Sequence, residues 1–69
     1  MNPLATFIEQ LENSIIKQKY LLDNYVGQQD WRKAGMQQEY INGLNDALHL
    51  ARANYATTDR VNNATRHNH

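Results

Sequence analysis

The sequence contains no cysteine, a single proline, one tryptophan and one phenylalanine, and its seven Lys and Arg balance seven Asp and Glu. Without cysteine the chain can form neither disulfides nor thiolate zinc sites, the usual staples of very small domains. Zero formal net charge and a pI near 6.8 argue against capture of nucleic acid or an anionic membrane by bulk electrostatics. Aliphatic runs are no longer than pairs such as Ile15-Ile16 and Leu21-Leu22, where a membrane span needs about 18 apolar residues. Met1-Asn2-Pro3-Leu4 offers no basic region leading into an apolar one, so a cytoplasmic location is expected. A chain of 69 residues buries only about 60% of its unfolded surface, which leaves little room for both a core and an enclosed catalytic pocket. A non-enzymatic protein stabilised by self-association is therefore expected.

What the sequence does have is helical periodicity. Leu4, Ile8, Leu11, Ile15, Gln18, Leu22 and Tyr25 are spaced 4, 3, 4, 3, 4, 3, a heptad seam that predicts a helix over 3–26. Asn2 can cap it with Pro3 at the first helical position, although Thr6 and Glu9 offer a capping box a turn later. Gly27 is expected to supply a left-handed C-terminal conformation, with 27–30 forming the turn and Asp30 capping the next helix. Ala34, Gln37, Ile41, Leu44, Leu48, Ala51 and Tyr55 are spaced 3, 4, 3, 4, 3, 4, which predicts a second helix over 31–56. Gly35 and Gly43 weaken it by about 1 kcal/mol each relative to alanine, so packing has to support its middle. Gly43, Ala47 and Ala51 form a row of small residues along which a helix can approach. Residues 57–69 hold only Val61 as a large aliphatic residue and read as a polar, flexible tail beyond a 1–56 hairpin domain.

The expected fold class is all-α, an antiparallel two-helix hairpin, because so short a turn makes the helices neighbours. Folding about residue 28 sets Leu22 near Ala34, Ile15 near Ile41, Leu11 near Leu44 and Ile8 near Leu48, with Gln18 level with Gln37. The two glutamines can then satisfy each other and fix the register. Ile8, Leu11, Ile15, Leu22, Ile41, Leu44 and Leu48 are the expected core. Phe7, Ile16, Tyr20 and Leu21 lie off the first seam, and Met36, Tyr40, Gly43, Ala47 and Leu50 make a second row spaced 4, 3, 4, 3. Two helices cannot cover all of these. A homodimer forming a four-helix bundle through Ile16, Tyr20, Met36, Tyr40, Gly43, Ala47 and Leu50 is the expected solution, and a foreign protein partner is the rival use of the row.

Chemistry-bearing groups are few. His49 and the terminal His67-Asn68-His69 fall short of the three or four preorganised ligands that zinc requires, so no metal site is expected. The acidic residues fall on polar faces or at caps, Ser14 is the sole serine, and no glycine-rich phosphate loop is present. Neither catalytic residues nor a cofactor are expected. Trp31, Arg32 and Lys33 form the best recognition patch. Trp31 is expected to plug the hairpin end over Tyr25 and Leu22, with a partner hot spot as the alternative. Nucleic acid, engaged by Arg32, Lys33 and the Arg60 and Arg66 of the tail, is the competing partner class, disfavoured by so few phosphate contacts.

The run Glu39-Tyr40-Ile41-Asn42-Gly43-Leu44-Asn45-Asp46-Ala47-Leu48, following a heptad helix, resembles a layout found in short bacteriophage and prophage accessory proteins. The resemblance implies a small helical protein that binds and occludes a host or phage macromolecule, for instance as an inhibitor, in the host cytoplasm. It supplies no catalytic residues.

Overall fold

The computed structural model describes the backbone of residues 2–67 and the side-chain surroundings of residues 2–57. Two helices, α1 (Pro3–Gly27) and α2 (Trp31–His67), pack as an antiparallel hairpin, and no strand occurs among the described residues.

Asn2 begins α1. It is extended at φ −91° and ψ 114°, and its Oδ1 accepts from the Leu4 amide at 3.0 Å, while Pro3 sits where an amide hydrogen would have no partner. Thr6 lies inside the helix, its hydroxyl donating to the Asn2 carbonyl at 3.4 Å, so the downstream start at Thr6 is not the one used.

The turn corrects one expectation. Gly27 is the last residue of α1, and no glycine has positive φ; the left-handed residue is Gln29, at φ 58°. Around it the Asp30 amide donates to the Tyr25 carbonyl at 2.9 Å and the Gln29 amide to the Val26 carbonyl at 3.0 Å, the paired bonds of a Schellman motif with Gln29 in the position usually held by glycine. Left-handed backbone costs a residue with a Cβ about 1–2 kcal/mol. The turn carries that cost because it satisfies both ends at once. Asp30 closes α1 through its amide and opens α2 through its carboxylate, which accepts from the Lys33 amide at 3.2 Å.

A second correction concerns the end of α2. The helix does not stop near Ala56 but continues to His67. From Thr57 to His67 the sequence has neither glycine nor proline to interrupt the helix. The Thr57 hydroxyl also donates to the Ala53 carbonyl at 3.0 Å. The side chains of the expected tail, from Thr58 onward, lie outside the described residues.

Between the helices, Leu11, Ile15, Leu48 and Ala51 form a buried cluster with Leu4, Ile8, Leu44 and Ala47 packed against it. Ile41 is the most enclosed large side chain, 2% exposed. Ile8, Leu22 and Leu44, expected among the most buried, are only half-buried, because one seam between two cylinders shields its flanks incompletely. At the level between the cluster and the turn, Gln37 Nε2 donates to Gln18 Oε1 at 2.8 Å and to the Gln18 carbonyl at 3.1 Å. Gln37 is thereby buried with its amide satisfied, and the hairpin is locked in the register read from the sequence.

Candidate interaction surface

With the seam closed, two flanks of the hairpin remain, and they differ in chemistry. Glu12, Ile16 and Tyr20 are four residues apart and so stand in one row of α1. That row starts on the charged flank, where Glu12 Oε2 meets Arg52 Nη2 of α2 at 3.3 Å, and winds onto the outer side of α1. Ile16 and Tyr20 are exposed there. They do not join the α2 row with which they were grouped, since a residue next to the seam residue Ile15 is turned about 100° away from it.

The opposite flank carries Phe7, Ser14 and Leu21 from α1, at intervals of seven, and Met36, Tyr40, Gly43, Ala47 and Leu50 from α2. At the turn end the two rows converge where Lys33 Nζ sits 5.9 Å from the centroid of the Tyr25 ring, Tyr25 lying one turn beyond Leu21 and Lys33 one turn before Met36. None of the residues named in either row is charged; Lys17, between Ser14 and Leu21, and Lys33, one turn before Met36, are the cations at their edges. Met36 is 64% and Leu50 63% exposed, and Phe7, Leu21 and Tyr40 are exposed as well. Ala47 is the exception: it packs against the buried cluster and forms the inner edge of the face. A Cβ built at Gly43 would meet no atom within 4 Å, so nothing within one hairpin uses the close approach that this glycine permits. Phe7 and Leu21 extend the face beyond the residues expected from α2. Their spacing was visible in the sequence, but which flank they share is fixed only by how the helices face each other.

Trp31 does not plug the hairpin end. It is 65% exposed, because the seam of α2 runs back from Ala34 to the capping Asp30 and leaves Trp31 a residue out of phase. Beside it, Lys33 Nζ lies 3.8 Å from Asp30 Oδ2 as well as over Tyr25, so its charge is held at the turn. Arg32 is exposed.

No three His, Cys, Asp or Glu residues gather as a metal site among the described residues, and no cavity opens in the hairpin. His49 is exposed on α2, and the side chains of His67 and His69 lie outside the described residues. No helix of the described residues is long and apolar enough to cross a membrane. The surface with a definite chemical character is thus the uncharged flank. No protein-family model, curated protein or solved structure matches this chain.

Proposed function

We propose that the protein is a non-enzymatic helical interaction module, that it self-associates through its uncharged flank into a four-helix bundle, and that it works by occluding or bridging a macromolecular partner. The observation carrying this reading is the row of exposed Met36, Tyr40, Gly43 and Leu50, with Ala47 at its inner edge, joined by Phe7 and Leu21, which leaves large apolar side chains in water on one side of a two-helix unit. Single exposed apolar residues are ordinary, but several large ones grouped on one face and edged by Lys17 and Lys33 mark an association surface. Trp31 and Arg32 at the turn, away from that face, are of the residue types that dominate partner recognition, and they are the surface a dimer would still offer to a foreign protein.

Nucleic acid has weaker support as the partner, because Lys33 is engaged by Asp30 and Tyr25 and the charged flank pairs Glu12 with Arg52. Light scattering tests the reading. The wild-type chain is expected at twice its 8.0 kDa mass, and Tyr40→Glu at the single-chain mass with its helicity retained, since a carboxylate buried without a partner is strongly disfavoured. A wild-type chain at the single-chain mass would remove the self-association from this reading.

A further inference from the structure

The uncharged flank has an internal symmetry that identifies its occupant. Along α2 the row reads Met36, Tyr40, Gly43, Ala47, Leu50, with large residues at the ends and the smallest in the middle. Reversed upon itself about Gly43, it sets Met36 against Leu50, Tyr40 against Ala47 and Gly43 against Gly43. A large side chain meets a small one beside the centre, and no pair brings like charges together. Along α1, Phe7, Ser14 and Leu21 reverse in the same way about Ser14, placing Phe7 against Leu21.

The two centres lie close together. Gln18 and Gln37 are bonded across the hairpin, and one turn farther from the loop brings α1 to Ser14 and α2 to Ile41, so Ser14 stands about two residues, roughly 3 Å of helix rise, from the level of Gly43. One two-fold axis, lying in the plane of the face and crossing both helices near that level, therefore satisfies both rows. From this proximity we infer that the flank is covered by a second copy of this chain, turned end for end, with α1 on the partner's α1 and α2 on the partner's α2, both antiparallel, and with Ser14 and Gly43 on the axis. The inference rests on the self-association proposed above and specifies its geometry.

The amount of surface fits such an arrangement. The chain exposes 5645 Å², whereas a compact monomer of 8.0 kDa exposes about 4,450 Å². Met36, Tyr40 and Leu50 of α2 and Phe7 and Leu21 of α1 are among the large apolar side chains that contribute to this exposed surface. A specific interface removes roughly 800 Å² from each partner. The open space at Gly43 also acquires a use, since a glycine on the axis lets two α2 backbones approach closely without Cβ atoms between them.

A chain without cysteine allows the axis to be located by single-cysteine variants under mild oxidation, because a disulfide forms only where Cα atoms come within about 7 Å. Gly43→Cys and Ser14→Cys are each expected to give a covalent dimer alone. Met36→Cys and Leu50→Cys are expected not to link alone but to link when mixed. Two results would overturn the geometry while leaving the dimer standing. One is Met36→Cys and Leu50→Cys each linking to itself, which means parallel pairing; the other is Gly43→Cys linking only to Ser14→Cys, which means α1 lies on the partner's α2. A wild-type chain that sediments at single-chain mass at every concentration would overturn both the axis and the self-association beneath it.

Discussion

Helix α2 carries two rows of nearly the same spacing, and only one of them has a partner within the chain. Ala34, Gln37, Ile41, Leu48 and Ala51 face α1 and are buried; Met36, Tyr40 and Leu50, a third of a turn away, are exposed. The exposed row is no less apolar. The difference is topological, since a single turn supplies one neighbouring helix and so covers one stripe of each cylinder. Periodicity locates a stripe; the number of helices in the folded unit decides whether it becomes core or contact surface.

The largest effects are expected on the covered row. Ile41→Ala removes the most enclosed side chain and should cost about 2–5 kcal/mol, enough to unfold a domain of this size, with helicity by circular dichroism falling at every protein concentration. If Ile41→Ala melts like the wild type, the seam is not the core. Next comes the polar bridge of that row. Gln18→Ala removes the side-chain acceptor of the buried Gln37 amide and leaves it only the residue-18 carbonyl, which should cost about 0.5–1.5 kcal/mol, measured by urea unfolding. Replacing both glutamines by leucine should restore most of that loss, because no polar group is then stranded.

At the turn that makes the two rows unequal, Gln29→Gly should stabilise by about 1 kcal/mol, because Gln29 holds a left-handed φ of 58° that glycine adopts without penalty. A drop in melting temperature would mean that the Gln29 side chain contributes more than its backbone conformation costs. The smallest effect belongs to the charged flank. Glu12 and Arg52 meet at 3.3 Å with both side chains about half exposed, and Glu12→Gln should change stability by less than about 1 kcal/mol, less still at high salt.

The hairpin, its register and its caps were legible because each rests on local chemistry: heptad spacing from Leu4 to Tyr25, a shared level for Gln18 and Gln37, and the capping side chains of Asn2 and Asp30. Other features depended on competition or on three-dimensional placement. Gly27 was the natural choice for the left-handed position, but that position is set by where the Schellman bonds and the Asp30 cap fall together, and it fell on Gln29. The continuation of α2 beyond Ala56 is not legible in the apolar pattern, because that pattern marks where a helix packs and not where its backbone ends. Trp31 follows Asp30 on the seam line, and adjacency on a helix is a turn of about 100°, which directs Trp31 away from the end of the hairpin it is expected to plug. The uncharged flank was half legible, its α2 row evident from spacing, its α1 row apparent only once the orientation of the two helices was known.

The central claim, that the uncovered row is covered by a second copy, is tested most directly by thermal unfolding over a wide range of protein concentration. If folding and pairing are coupled, the melting temperature of the wild-type chain rises steadily from micromolar to several hundred micromolar, and this dependence disappears in Tyr40→Glu. A wild-type melting temperature that stays constant over the whole range, equal to that of Tyr40→Glu, would contradict it.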